Sequence, residues 1–288
     1  MNRLTWCIVG ADSAIGASLA AHLRSQGEQV LGTSRRPQPA PGMLALDLAR
    51  PQDWQLPEQA DVAVLCAGIS SLQACRENPD QTRTINVRNT LLLAERFQSI
   101  GTHVLFLSSS QVFDGSKPLA APDDPRSPRT EYGAQKAEVE LNVPRGTVVR
   151  LTKVLSPEYP LFAAWARDLA AGKTIRPFHD LPLAPLSMET AVAALAALGR
   201  ERKSGIRHLS PQAEISYAEA ASRLAQRLGR PELVEPVSAL QASPPLEWIP
   251  RHAALEASAT WSACGLPHPG PWEAVDLCLN RLVAQEAQ

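Results

Sequence analysis

The chain has 288 residues, enough for one large α/β unit or two domains, and its 44% apolar residues can fill a substantial core. A formal net charge of -1, with no long run of either sign, gives no electrostatic reason to expect nucleic acid or an anionic membrane as a partner, so small-molecule chemistry is the default. The five cysteines (Cys7, Cys66, Cys75, Cys264, Cys278) lie far apart with no metal-ligand spacing, and their odd number suits a reduced interior better than a disulfide framework.

In chain order, short apolar runs at 4–9, 29–33, 43–46, 62–66, 103–107 and 147–151 predict strands, several of them continuous enough for a parallel sheet covered on both faces. Helical patterns fit between them. Ile15, Leu19 and Leu23 recur at helical spacing before Gly27, a C-terminal cap, and 91–97 lies in another helical stretch. Pro118, Pro122, Pro125 and Pro128 mark 114–130 as a loop. Beyond residue 151 the texture changes to apolar helices around 161–171 and 190–198, a short strand at 206–209 and a helix near Ser216, where Ser216 and Glu219 form a capping box. This alternation predicts a doubly wound sheet at 1–151 and a smaller, partly interleaved region at 152–288. No stretch approaches the ~20 apolar residues of a membrane span. The N-terminus lacks a signal peptide's apolar core and cleavage site, so a cytoplasmic location is expected.

The segment from Gly10 to Gly16 ends the first strand and opens the first helix, where free N–H groups and the helix dipole favour a pyrophosphate. Gly10 permits the tight turn and Gly16 close packing, with Ser13, Ala14 and Ile15 between them. Ser13 stands where a third glycine would complete GxxGxxG, and its hydroxyl could donate to phosphate. A purely structural turn explains two glycines about as well. At the end of the second strand, Ser34, Arg35 and Arg36 stand where an acidic residue would hold the ribose of NAD, which favours the 2′-phosphate of NADP, with NAD kept as an alternative. Asp47 and Leu48 after the third strand, and Cys66, Ala67 and Gly68 after the fourth, lie at carboxyl ends of strands, where ligands collect in open α/β sheets. Tyr132 and Lys136 are four residues apart, so a helix puts the phenol and the ammonium on one face. A nearby fixed positive charge would move the phenol toward the working range of an acid. The six histidines are scattered without metal-ligand spacing, and no GxSxG elbow or Walker loop is present.

In this order the motifs resemble the extended short-chain dehydrogenase/reductase superfamily and, within it, the dTDP-4-dehydrorhamnose reductase group. The likeness spans nearly the whole chain. It rests on Ser108-Ser109-Ser110-Gln111-Val112-Phe113-Asp114-Gly115, on Tyr132 with Lys136, on Ile85-Asn86-Val87, on Gly205 to Ser210 followed by Ser216 to Glu219, and on the tail from Pro250 to Trp272. The resemblance implies a Rossmann-type doubly wound parallel sheet with a smaller C-terminal α/β substrate-binding region. It also implies NADPH-dependent reduction of a keto group on a nucleotide-linked sugar. Tyr132 would donate the proton, Ser109 would hydrogen-bond the carbonyl oxygen, Lys136 would depress the Tyr132 pKa and hold the nicotinamide ribose, and Asn86 would line the cofactor site. Ser110 and Lys153 are candidate substrate contacts, and Arg150 a candidate for the substrate's diphosphate. Lys153 falls where the group typically carries a tryptophan, so the sugar itself stays open. A homodimer is possible. A non-catalytic NADP-binding scaffold and a nucleotide-sugar epimerase or dehydratase remain as alternatives.

Overall fold

A computed structural model describes residues 3–36, 39–143, 145–156 and 158–286. The chain divides into two compact units, one formed by Met1–Phe113, Pro125–Leu151 and Val192–His208, the other by Asp114–Asp124, Thr152–Ala191 and Leu209–Gln288.

The first unit is built on strands β1 (Thr5–Val9), β2 (Gln29–Ser34), β3 (Met43–Ala45), β4 (Val62–Leu65), β5 (His103–Ser109) and β6 (Gly146–Leu151). The pairs β1–β2, β2–β3, β1–β4, β4–β5 and β5–β6 all run parallel. Every residue of β4 and β6 is buried, as expected of strands covered on both faces. The chain builds outward from β1 through β2 to β3, then returns to place β4 on the opposite side of β1. That reversal is a topological switch point, and open α/β sheets bind ligands outside the strands' carboxyl ends at such points.

Helix α1 (Ala14–Ser25) follows β1 and buries Leu19, Ala20 and Leu23. Short helices α2 (Leu72–Glu77) and α3 (Pro79–Arg83) lead through a π-helical turn at Thr84–Asn89 into α4 (Thr90–Ser99). Helix α5 (Glu131–Asn142) precedes β6. The core between sheet and helices gathers Val9, Leu65, Leu93, Phe97, Phe106, Val139 and Val148.

In the second unit, β7 (Lys153–Leu155) pairs in parallel with β9 (Pro185–Ser187), and β8 (Pro182–Leu183) pairs antiparallel with β11 (Ile215–Ser216). Helices α6 (Pro160–Ala170), α8 (Tyr217–Arg227) and α10 (Pro271–Glu286) enclose a separate core around Phe162, Trp165, Leu224 and Leu279, while α9 (Ser258–Cys264) buries Trp261. The proline-rich segment is fastened within this unit, because Gly115 O accepts from the N–H groups of Arg251 and His252, and Asp114 O accepts from Trp248 Nε1 at 3.1 Å.

Helix α7 (Met188–Glu201) belongs to the first unit from Val192 onward, and β10 (Gly205–Leu209) joins the large sheet beside β6 as its seventh strand. The strand expected at 206–209, in the region read as 152–288, thus lies in the large sheet, since a strand's apolar run does not encode its neighbour.

The capping box expected at α8 is present in both directions, with Ser216 Oγ accepting from Glu219 N at 3.1 Å and Glu219 Oε2 accepting from Ser216 N at 2.6 Å. Ser216→Ala should lower the unfolding free energy by about 1 kcal/mol, read from the shift in urea midpoint at constant slope.

Candidate active site and cofactor turn

Gly10 closes β1 with φ +80, a conformation other residues avoid, and a Cβ there would lie 3.0 Å from the Ala67 backbone. A Cβ on Gly16 would come within 2.2 Å of Gly10 O. The turn thus lies flat against the segment that follows β4. Its hydroxyl is committed: Ser13 Oγ donates to Gly10 O at 2.7 Å and accepts from Gly16 N at 3.1 Å. The expectation that this proton serves a phosphate is corrected, because it caps the turn. Ser13 O accepts from Ala17 N, so of the four leading N–H groups of α1 those of Ala14 and Ile15 remain for an anion.

The end of β2 is strapped to the same turn. Gly10 N donates to Thr33 Oγ1 at 3.1 Å, Ala11 N to Thr33 O at 2.9 Å, and Ser34 Oγ to Asp12 Oδ2 at 2.8 Å. Ser34 is therefore a buried structural hydroxyl, while Arg35 and Arg36 are exposed. A close-packed glycine turn, free helix N–H groups and two solvated guanidiniums fit a dinucleotide carrying a phosphorylated ribose.

After β3, Asp47 O accepts from Trp54 Nε1 and Leu48 O from Asn89 Nδ2, both at 2.6 Å, which fixes that loop to α4's entry. After β4 the segment Cys66-Ala67-Gly68 runs into Ile69, whose N–H and carbonyl both bind the amide of Asn86, at 2.7 and 2.9 Å. Asn86 Nδ2 also donates to Gln135 Oε1 at 2.8 Å, and Gln135 is fully buried with Nε2 on Thr82 Oγ1 at 2.9 Å. The Asn86 amide thus holds the loop of the site and ties it to α5.

Ser109 ends β5, and its hydroxyl accepts from Gln111 N at 3.2 Å. The turn Ser110–Val112 then packs on the first turn of α5, where a Cβ on Gly133 would stand 2.2 Å from Gln111 O, and Thr130 Oγ1 caps the helix at Gly133 N while donating to Gln111 Oε1 at 3.0 Å. These contacts bring Ser109 and the helix turn of Tyr132 to the same end of the sheet. Lys136 Nζ donates to Leu107 O at 2.8 Å, 4.6 Å from the Phe106 ring centroid and 5.7 Å from that of Tyr132.

The electrostatics differ from the expected depression of Tyr132 by Lys136. Burial, with the Cys75 thiol second, pushes the Tyr132 phenol up to about 12, and burial pulls Lys136 down to about 8 against the opposing pull of Cys66, Glu140 and Cys75. Burial also raises the Cys66 thiol to about 12, against the lysine. Both residues are half-buried, and desolvation is the largest influence on each.

One turn beyond Lys136 lies Glu140, whose side chain is fully buried. Its carboxylate accepts from Ser108 Oγ at 2.5 Å, Arg126 Nε at 2.6 Å and Arg150 Nη2 at 2.7 Å. Arg150 has no exposed surface, so its expected role on a substrate diphosphate is corrected: its guanidinium is locked on Glu140 and sits 3.2 Å from His208 Nε2. A guanidinium only donates, so His208 Nε2 is the acceptor in that contact. Lys153 lies in the second unit, exposed, with Nζ 5.3 Å from the Tyr159 ring centroid. Asp12, Gln135 and Glu140 had no role in the sequence reasoning. Only Glu140 carried a signal, as the next residue of the four-residue stripe through Tyr132 and Lys136.

The family described as RmlD substrate binding domain matches residues 5–284. The chain belongs to that family. The dTDP-4-dehydrorhamnose reductase of Streptomyces griseus is 27% identical over 287 residues, covering 94% of this chain and 91% of the relative. Among solved structures, a dTDP-4-dehydrorhamnose reductase from Yersinia enterocolitica superposes with a TM-score of 0.82 at 21% identity, over 98% of this chain and 99% of that one. Another, from Bacillus anthracis in complex with NADP, gives 0.80 at 17% identity, over 99% of both chains. Both carry the Rossmann-like fold of this family. Among the described residues no helix is long and apolar enough to cross a membrane, and no group of three or more His, Cys, Asp or Glu side chains is placed to hold a metal.

The lowered Lys136 has a consequence for stability. The folded chain releases this proton near pH 8 and the unfolded chain near the ordinary 10.5, so between those values the unfolded state binds more protons and the lysine's contribution to stability rises with pH. Urea unfolding at pH 7, 8, 9 and 10 should show wild type gaining on Lys136→Met across pH 8 to 10, and parallel profiles would contradict the lowered lysine.

Proposed function

We propose that this protein reduces a keto group on a nucleotide-linked deoxysugar with NADPH. The observation that carries the reading is the placement of Ser109, Tyr132 and Lys136 at one carboxyl edge of the parallel sheet, beside a turn shaped for a dinucleotide. NADPH would supply a hydride to the carbonyl carbon. It would rest with its pyrophosphate at the N–H groups of Ala14 and Ile15 and its 2′-phosphate against Arg35 and Arg36.

As hydride arrives, negative charge grows on the carbonyl oxygen, and donors already aimed there lower the barrier. Tyr132 Oη gives its proton to that oxygen, forming the alcohol, and Ser109 Oγ donates a hydrogen bond to it. A phenol raised to about 12 holds its proton throughout the neutral range, which suits a donor. The phenolate left behind faces the Lys136 ammonium, whose ordering on Leu107 O leaves further N–H groups for ribose hydroxyls. We assign 1–151 to cofactor and catalysis and 152–288 to the substrate, with Ser110 and Lys153 as its contacts, and expect it to act as a cytoplasmic enzyme.

Tyr132→Phe should cut kcat by about 10²- to 10⁴-fold while leaving the NADPH dissociation constant nearly unchanged, measured by NADPH absorbance with a dTDP-4-keto-6-deoxysugar. Undiminished turnover would remove the proton-donor role. Replacing Arg35 and Arg36 together by Ala should raise KM for NADPH about tenfold or more with little change for NADH, in line with the loss of charge-assisted phosphate bonds. Equal effects on both cofactors would argue against a 2′-phosphate site.

A further inference from the structure

Glu140 stands on the same face of α5 as Tyr132 and Lys136, at the next four-residue step. Three separate segments converge on its carboxylate: Ser108 from β5, Arg150 from β6, and Arg126 from the chain leading to α5. Ser108 is the immediate neighbour of Ser109, and strand alternation turns the two side chains to opposite faces. A bond that holds Ser108 therefore sets where the backbone delivers Ser109.

We propose that Glu140 is a positioning residue for proton transfer, pinning the end of β5 to the helix that carries Tyr132 and Lys136. It rests on the reductase reading for its consequence but not for its geometry. Lys136 is faced by Cys66 at the end of β4, Cys75 of α2, and Tyr132 and Glu140 of its own helix; Glu140 is the only carboxylate among them. Removing that charge takes away one of the groups that hold the Lys136 proton, so the proton should leave at lower pH.

The test compares wild type with Glu140→Gln by following the ε-carbon resonance of Lys136 in ¹³C-lysine-labelled protein, assigned with Lys136→Met, and by kcat with NADPH and a dTDP-4-keto-6-deoxysugar. The Lys136 midpoint should fall by about one pH unit. The kcat should fall by about tenfold or more as the reacting groups lose alignment, with the NADPH dissociation constant within about twofold. An unmoved midpoint with full turnover would overturn the assignment. If wild type itself shows no turnover, the reductase reading fails, while the midpoint shift still decides the role of Glu140. Should Glu140→Gln fail to fold, Ser108→Ala, which keeps every charge, takes its place: a loss of about threefold or more in kcat at unchanged NADPH affinity supports the anchor, and full activity overturns it.

Discussion

Helix α5 meets the end of β5 at successive turns, and the site depends on that seam. Gly133 lies against Gln111 O, Lys136 Nζ holds Leu107 O, and Glu140 holds Ser108 Oγ. The middle contact orients a charge, while the outer two fix the helix along and across the strand. A buried ion pair such as Glu140 with Arg150 adds little net stability, because desolvating both charges offsets their attraction. What it supplies is register: any slip of the helix would strand a charge in the core.

The same economy of polar groups governs the turn after β1. Thr33, Ser34 and Ser13 all look like ligand-facing hydroxyls, yet each is used to close the turn on itself or on β2. Once these are satisfied internally, the groups left for an anion are helix N–H groups and the solvated Arg35 and Arg36. A rigid turn made this way loses little freedom on binding, which favours tight capture of an extended cofactor.

The second unit has a core of its own, in which Tyr159, Phe162, Trp165 and Tyr217 form a chain of edge-on and stacked rings. Burial raises the Tyr217 phenol well above the ordinary range, with Tyr159 adding to it, so this aromatic chain stays uncharged and packed. Lys153 lies over the Tyr159 face. A cation on an aromatic ring joins a charge to the packed face of this unit.

Much of this protein was fixed by local pattern. Strands buried on both faces leave continuous apolar runs, so β1, β2, β4, β5 and β6 were legible within two residues of their ends, and the capping box at Ser216 and Glu219 needed only its own four residues. Helical spacing likewise put Tyr132 and Lys136 on one face. The tertiary structure decided what pattern cannot carry: that β10 pairs with β6, that Arg150 turns inward to Glu140, that Ser13 and Ser34 donate to neighbours, and that burial rather than charge sets Tyr132. Each of these depends on which distant atoms arrive within hydrogen-bond reach and how much water they exclude, and a one-dimensional sequence records neither distance nor solvent.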